Sequence, residues 1–274
     1  MDAAAHAPST EYLERPEGRI AYQTTGSGPL VICAPGMGDL RSVYRFLAPA
    51  LSEAGFRAVA MDLRGHGDSD ATFSEYDDAA LGTDLIALAG HLGGRAVLIG
   101  NSMAAGAAVW ACAEAPDLVA GLVLIGPFVR NGPVGFAAML AFRLALLRPW
   151  GPAAWNAYYA SLYPGRRPVD LDEHRALIRE SLRRPGHWRA FVSTTHSSHQ
   201  AAEERLGEVR APVLVVMGDH DPDFPDPAEE AHFIASKLGA EVVMVPGAGH
   251  YPQAEYPEVV TPAVVRFAHK ALDL

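Results

Sequence analysis

The sequence predicts an α/β fold with a mostly parallel central sheet. Short runs rich in β-branched residues alternate along the chain with longer segments of helical pattern, as in folds built from repeated strand–helix units. Most of these runs are continuously apolar, which is typical of parallel strands buried on both faces. The chain has 274 residues, of which 49% are hydrophobic and 20% charged, so it has enough apolar material for a full core.

Seven segments are predicted as strands, and five helical segments accompany them. The strands are expected at 19–25, 29–34, 57–63, 95–101, 120–126, 212–218 and 241–247. The helices are expected at 41–54, 79–92, 102–115, 228–238 and 257–271. Pro257 is suited to the first turn of the last helix, and Gly239 to the end of the helix before it.

The alternation breaks between Pro127 and Gly207, where no segment has a convincing strand pattern. Four helices are expected there instead, at 134–148, 152–162, 170–183 and 185–200. We therefore expect residues 1–127 and 207–274 to form an α/β core, and residues 128–206 to form a helical cap inserted into it.

Composition excludes several classes of protein. A net charge of −10 disfavours general binding to nucleic acid or to an anionic membrane surface. Cys33 and Cys112 are too few for a disulfide framework and are expected to be small buried side chains. The first ten residues lack the pattern of a secretory signal, and the apolar stretch 134–147 is too short to span a bilayer. These features predict a cytoplasmic protein that acts on a small molecule, and they leave its oligomeric state open.

A candidate nucleophile lies directly after the predicted strand 95–101. The sequence Gly-Asn-Ser-Met-Ala at 100–104 leads from this strand into a helix of small residues. In a nucleophile elbow the tight turn needs small residues two positions before and two positions after the nucleophile, and Gly100 and Ala104 supply them. The alternative is that Ser102 is an ordinary helix N-cap.

Four further segments resemble loops of the α/β-hydrolase-fold serine hydrolases. APGMGD (34–39) resembles the oxyanion loop of that family, and MDLRGHGDSD (61–70) resembles a common segment after its next strand. GDHDPDFP (218–225) resembles the loop of the catalytic acid, and GAGHYPQAEYPE (247–258) that of the histidine. With the elbow, five motifs in the family's order extend over nearly the whole chain. Ala104 replaces a usual glycine, and Pro35 stands where many members carry a histidine.

The resemblance implies an α/β-hydrolase fold and a catalytic triad of Ser102, Asp221 and His250, in the chain order expected for that fold. A serine hydroxyl is a poor nucleophile without a base, and the base needs a carboxylate to orient it. The carboxylates of Asp219, Asp223 and Asp226 are neighbouring alternatives for the acid. The family's spacing, counted from Gly218, falls on Asp221.

An oxyanion hole needs two backbone N–H groups aimed at the developing negative charge. Met103, directly after the nucleophile, is expected to supply one of them. By resemblance, Met37 supplies the other. No nucleotide-binding glycine pattern is present, so no cofactor is expected.

Four residues are candidates for contacting the substrate: Phe142, Arg143, Trp155 and Tyr251. Phe142 and Trp155 belong to an apolar run of the expected cap. Residues 128–205 carry 11 arginines and six acidic residues, a net charge of +5, and Arg143 interrupts the apolar run. It is therefore a candidate for binding an anionic substrate. Attraction between a basic cap and an acidic core, or solvated arginines, explains the same charges without a ligand.

No metal site is expected. His196 and His199 are three residues apart on a predicted helix, but no third ligand is near them in the sequence, so a solvated pair is the simpler interpretation. The acidic run at 219–223 lacks the glycine of an EF-hand calcium loop.

The resemblance implies hydrolysis of an ester or related acyl bond of a small, largely apolar substrate through an acyl-enzyme. Carbon–carbon bond hydrolysis of dienoate type is an alternative, because GNSM (100–103) and IGP (125–127) are similar to that subfamily. Against it, Tyr251 follows His250 at the position where, by resemblance, that subfamily has a tryptophan. Thioesterases and perhydrolases share the triad. A ligand-binding or signalling member of the fold, with little turnover, is a further alternative.

If Ser102 is the nucleophile, a fluorophosphonate probe labels the protein once per chain, because the activated hydroxyl attacks phosphorus as it would a carbonyl. Intact-protein mass spectrometry checks the stoichiometry. Labelling of the Ser102→Ala variant to the same extent would assign the reactive group elsewhere.

Overall fold

The computed structural model describes residues 9–132 and 136–274. Eight strands form one sheet, in the spatial order β1-β2-β4-β3-β5-β6-β7-β8. The strands are β1 (Thr10–Arg15), β2 (Gly18–Thr25), β3 (Leu30–Ala34), β4 (Arg57–Met61), β5 (Ala96–Asn101), β6 (Val119–Ile125), β7 (Val213–Gly218) and β8 (Glu241–Val245). β2 pairs antiparallel with β1 and β4, and every other pairing is parallel. The predicted α/β class is confirmed.

Helices cover both faces of this sheet and make up much of the described part of the connection between β6 and β7. They are α1 (Leu47–Glu53), α2 (Asp78–His91), α3 (Met103–Glu114), α4 (Phe136–Ala145), α5 (Gly151–Ser161), α6 (Leu171–Arg183), α7 (His187–Thr194), α8 (Gln200–Glu203), α9 (Pro227–Leu238), α10 (Pro252–Glu255) and α11 (Pro257–Ala271). Asp77 and Asp226 accept hydrogen bonds from first-turn amides of α2 and α9, and Gly239 ends α9 with a positive φ.

All seven predicted strands are present, and the strand β1 was missed. Its sequence TEYLER buries only Leu13, because β1 lies at the edge of the sheet and much of it faces solvent. The single helix expected at 41–54 is instead a 3-10 turn at Arg41–Tyr44 followed by α1.

The sheet separates two apolar layers. Alternating residues of β3 belong to opposite layers: Val31 and Cys33 pack on one side, Ile32 and Ala34 on the other. Cys112 lies in the second layer, so the two cysteines are both buried, unpaired and on different faces. Their predicted role as small buried side chains is confirmed.

The described part of the connection between β6 and β7 is entirely helical or irregular, as the sequence indicates. The prediction of one helix at 185–200 was wrong in length. In the structure α7 ends at Thr194, and a turn separates it from α8. Residues 134–135 of the helix predicted at 134–148 lie outside the described residues. No helix among the described residues is both long and apolar enough to cross a membrane.

The turn between β5 and α3 holds Ser102 in a strained conformation. Its φ of 57° and ψ of −125° lie in a region of backbone conformation that residues other than glycine rarely adopt. A Cβ on Gly100 would lie 2.3 Å from the carbonyl oxygen of Ala104, so only glycine fits there. Hydrogen bonds from the Ser102 amide to the Ile125 carbonyl (2.9 Å) and from the Phe128 amide to the Ser102 carbonyl (3.2 Å) hold the turn against β6.

Glycine relieves this strain and alanine keeps it, so Ser102→Gly is expected to be more stable than Ser102→Ala. We expect the free energies of unfolding of the two variants to differ by about 1 kcal/mol. This is the energetic cost of the disfavoured backbone conformation in alanine, reduced by the larger conformational entropy that glycine loses on folding. Thermal or urea unfolding of the two variants measures it. Equal stability would mean that the turn is not strained.

Candidate active site

The candidate catalytic residues meet at the carboxyl edge of the parallel strands. Met37 follows β3, Ser102 follows β5, Asp221 follows β7 and His250 follows β8. In open α/β sheets this edge is where loops from neighbouring strands come together. The strand order therefore brings residues that are far apart in the sequence to one place.

His250 is hydrogen-bonded to Asp221. The imidazole Nδ1 lies 2.7 Å from Oδ2 of Asp221, and both side chains are buried. The other acids are placed differently: Asp223 Oδ2 is 3.7 Å from Nδ1 and its second oxygen accepts from the Tyr158 hydroxyl, while Asp219 accepts from the Gly247 amide. Of these carboxylates, Asp221 has the geometry to orient the ring.

The electrostatics of this pair favour the imidazolium. Burial lowers the pKa of His250, but the charges of Asp221 and Asp223 and the hydrogen bond to Asp221 outweigh it, and the pKa rises to about 9. An isolated histidine titrates near pH ~6.5. The second carboxylate, Asp223, is half-buried, and this partial burial raises its own pKa.

A small cavity of about 120 Å³ opens at Ser102. The residues that line it follow β3, β5 and β6, or lie at the end of α7 and in the turn after it: Met37, Ser102, Met103, Phe128, Thr194, Thr195, Ser197 and His199.

Two backbone amides beside Ser102 are unused. No described residue accepts a hydrogen bond from the N–H of Met37 or of Met103, and both residues line the cavity. The loop of Met37 is close to the serine, because a Cβ on Gly36 would lie 2.8 Å from the Ser102 Cβ. Two free donors at this position are what an oxyanion hole requires.

Buried side chains hold the Met37 loop in place. The Gly38 amide donates to His66 Nε2 (3.0 Å), whose Nδ1 lies 3.0 Å from the Arg64 carbonyl. Burial lowers the pKa of His66 to about 4, so the ring is neutral and Nε2 accepts. The Asp39 carboxylate, fully buried, is 2.7 Å from His174 Nε2 and accepts from the Tyr159 hydroxyl.

The four residues predicted to contact substrate do not line this cavity. Trp155 is buried and donates from Nε1 to the Gly38 carbonyl (3.3 Å), so it supports the Met37 loop. Tyr251 is buried with its ring stacked on Tyr163. Phe142 is half-buried, and Arg143 is exposed. Direct contact of these four residues with a substrate stays a prediction.

Several arginines of the segment 128–205 pair with acids of the α/β core. The pairs are Arg130–Glu230, Arg166–Glu258, Arg184–Asp68 and Arg205–Glu114, with closest N···O distances of 2.6 to 3.1 Å. These contacts account for part of the basic character of the segment without a ligand. The most exposed pairs, Arg166–Glu258 and Arg184–Asp68, contribute little to stability.

Asp221, Asp223 and His250 are also close enough together to chelate a cation. The 2.7 Å between His250 Nδ1 and the Asp221 oxygen is a hydrogen-bond distance. Two ligand atoms on one tetrahedral zinc ion would be about 3.3 Å apart. The arrangement therefore fits a histidine–carboxylate pair better than a metal centre.

Sequence reasoning missed the residues of the turn after α7. Thr194, Thr195, Ser197 and His199 were expected inside one continuous helix, yet they form one wall of the cavity. The one feature of the sequence that drew attention to this turn is the three-residue spacing of His196 and His199. His196 is exposed, whereas His199 pairs with Asp78, which lies 121 residues away in the sequence.

The chain is similar to known proteins over nearly its whole length. Residues 31–263 match the alpha/beta hydrolase family. The 2-(acetamidomethylene)succinate hydrolase of Mesorhizobium japonicum is 30% identical over 97% of this chain and 99% of its own length. The crystal structure of an E-2-(acetamidomethylene)succinate hydrolase superposes with a TM-score of 0.74 at 26% identity, over 98% of this chain and 100% of the other.

A thermophilic esterase from Thermogutta terrifontis has a TM-score of 0.77 at 25% identity, over 96% of this chain and 99% of the esterase. The match to the family covers most of the chain and includes the loops that carry Ser102, Asp221 and His250. This protein belongs to the alpha/beta hydrolase family.

Proposed function

We propose that the protein is a serine hydrolase that cleaves an ester of a small acyl group. The observation that carries the proposal is the position of Ser102 in a cavity beside two unused backbone amides. The nearby histidine, His250, is held by a buried carboxylate. A nucleophile, an oriented base and an oxyanion hole are the parts that acyl transfer needs.

In the proposed reaction, Ser102 Oγ attacks the substrate carbonyl and His250 Nε2 accepts its proton. Asp221 holds the ring through Nδ1 and stabilises the imidazolium that forms. The amides of Met37 and Met103 stabilise the negative oxygen of the tetrahedral intermediate. His250 returns the proton to the leaving alkoxide, and the acyl group remains on Ser102.

Water completes the cycle. His250 takes a proton from a water molecule, the resulting hydroxide attacks the acyl-enzyme, and Ser102 leaves with the proton from His250. The carbonyl oxygen uses the same two amides in this step. The products are the free acid and the free alcohol.

Residues 128–206 act in this proposal as a cap that sets the size of the acyl group. The cavity at Ser102 is also lined by residues of this segment: Thr194, Thr195, Ser197 and His199. Trp155 and His174 of the same segment bond to the loop that carries Met37. The volume of about 120 Å³ suits a short acyl chain.

A second candidate is hydrolysis of an acyl amide on an unsaturated dicarboxylate. The 30% identical relative is named for hydrolysing 2-(acetamidomethylene)succinate, a compound with an acetamide group and two carboxylates. The same nucleophile and oxyanion hole serve an amide, with His250 protonating the leaving nitrogen.

The two candidates are separated by a substrate panel. We expect 4-nitrophenyl acetate and butyrate to be hydrolysed with higher kcat/KM than the octanoate, because the cavity is small. Ser102→Ala should abolish the activity, and Asp221→Asn should lower kcat by about 10⁴-fold through loss of the correct tautomer. Turnover of an acetamidomethylene diacid with none of any ester would favour the second candidate. An Asp221→Asn variant with nearly normal kcat would contradict the proposed triad.

The second carboxylate near His250 predicts an unusual pH dependence. Because Asp223 stabilises the imidazolium, and because the base must be neutral to act, kcat/KM should rise through an alkaline pKa near the value of about 9. Asp223→Asn removes one negative charge, so the rising limb should move to lower pH by about one unit.

The matched control is Asp219→Asn, in which an exposed neighbouring carboxylate that does not contact His250 is neutralised. Its profile should coincide with that of the unchanged protein. A rising limb that stays in place in Asp223→Asn would show that Asp223 does not influence the base.

A further inference from the structure

A cavity of about 540 Å³ lies in the segment between β6 and β7, apart from the cavity at Ser102. Residues of α5, of α6 and of the turn between α4 and α5 line it, and none of them lines the cavity at Ser102. Three of these residues are arginines: Arg148 in the turn, and Arg179 and Arg183 in α6. No acidic side chain lines this cavity. Its volume lies in the range of small-molecule binding sites.

The three arginines have no acidic partner. Within residues 9–132 and 136–274, none of their guanidinium groups forms an ion pair or a hydrogen bond. Neighbouring arginines differ in this respect: Arg175 of α6 pairs with Asp172, and Arg184, directly after α6, pairs with Asp68. The unpaired positive charges of α6 are therefore concentrated on the side that faces the cavity.

Two of these charges repel each other. Arg179 and Arg183 are four residues apart in α6, so they are neighbours on one face of the helix, and like charges at this spacing are destabilising. Glu180, which follows Arg179 in the chain, lines a different cavity together with Asp62. An anion bound between the two guanidinium groups would remove the repulsion.

The helix dipoles explain only part of this arrangement. Arg183 lies in the last turn of α6, where a positive charge is favourable, but Arg179 lies before that turn. Arg148 shares the cavity with Pro152 and Ala153 of the first turn of α5, the positive end of that helix, which has no acidic residue. The positive end of α5 thus adds to the charge of the arginines.

The rest of the lining suits the organic part of a ligand. Pro149, Pro152 and Leu182 provide apolar surface. Asn156 Oδ1 is buried and accepts no hydrogen bond from any group that the structure describes. An N–H or O–H group of a ligand would satisfy this oxygen.

We infer that this cavity binds the diphosphate group of a small molecule. A guanidinium group donates two parallel hydrogen bonds to phosphate oxygens, so three arginines offer several such pairs. A diphosphate ester carries about three negative charges near neutral pH, which match the three positive charges of the lining. The source of the group is either free pyrophosphate or a diphosphate ester such as a nucleoside diphosphate. The site does not depend on the chemistry proposed for Ser102.

The test measures binding to the unchanged protein by isothermal titration calorimetry, near neutral pH, at low salt and without divalent cations. The probes are inorganic pyrophosphate and ADP, which share the diphosphate group, and adenosine, which lacks it. Pyrophosphate or ADP should bind and adenosine should not. Tighter binding of ADP assigns the site to a diphosphate ester, and tighter binding of pyrophosphate assigns it to the free anion. Added salt should weaken binding.

Arg179→Gln and Arg183→Gln should each weaken binding of the better probe by about tenfold, the effect of losing a hydrogen bond to a charged group. Arg167→Gln is the matched control, because Arg167 is an exposed arginine of the same segment that does not line the cavity. Its affinity should equal that of the unchanged protein. The replaced side chains are all exposed, so the variants should fold, and thermal unfolding checks this.

Three results would overturn the inference. The unchanged protein binds neither pyrophosphate nor ADP at millimolar concentration, or the double variant Arg179→Gln/Arg183→Gln binds the better probe as tightly as the unchanged protein. The third is an equal loss of affinity in Arg167→Gln, which would mean that anions are attracted to the positive surface in general. Ester hydrolysis at Ser102 is measured separately, and its absence would leave this inference standing.

Discussion

A positive φ at Ser102 constrains the arrangement of the loops around it. A side chain at φ 57° and ψ −125° persists only where neighbouring contacts fix it. Those contacts come from both adjacent strands: the carbonyl of Ile125, the last residue of β6, accepts from the Ser102 amide, and Gly36 after β3 approaches the Ser102 side chain. The order β3-β5-β6 in the sheet is what makes both contacts available.

Buried carboxylates link the described loops to one another, and three of them pair with histidine. Asp221 holds His250, Asp39 holds His174, and Asp78 holds His199. Two of the three pairs join the α/β core to the segment between β6 and β7. Removing one partner of a buried pair leaves an uncompensated group and costs about 3–5 kcal/mol. The helical segment is thereby joined to the core by contacts that depend on the direction of each hydrogen bond.

Much of this arrangement was predictable from local patterns. Continuous apolar runs identify the buried strands, and the small residues at Gly100 and Ala104 identify the elbow, because the turn has no room for larger ones. The polar edge strand β1 has no such signature, since its stability comes from pairing with β2.

The wall formed by residues 194–199 was not predictable in this way. Its helical pattern continues past Thr194, and the partner of His199 is a residue in α2. The distances between the candidate acids and His250 also depend on how the loop after β7 folds. The preference for Asp221 over Asp223 rested on resemblance to the family's spacing. The structure distinguishes the two acids by distance, since their nearest oxygens lie 2.7 Å and 3.7 Å from Nδ1 of His250.

The most direct test of the central claim is to trap the covalent intermediate. Rapid acid quenching of the unchanged protein during turnover of 4-nitrophenyl butyrate should leave a butyryl group on the protein, because His250 cannot activate water in acid. Peptide mapping by mass spectrometry should locate this group on Ser102, and Ser102→Ala treated in the same way should carry none. Hydrolysis by the unchanged protein together with a butyryl group on another residue would contradict the account.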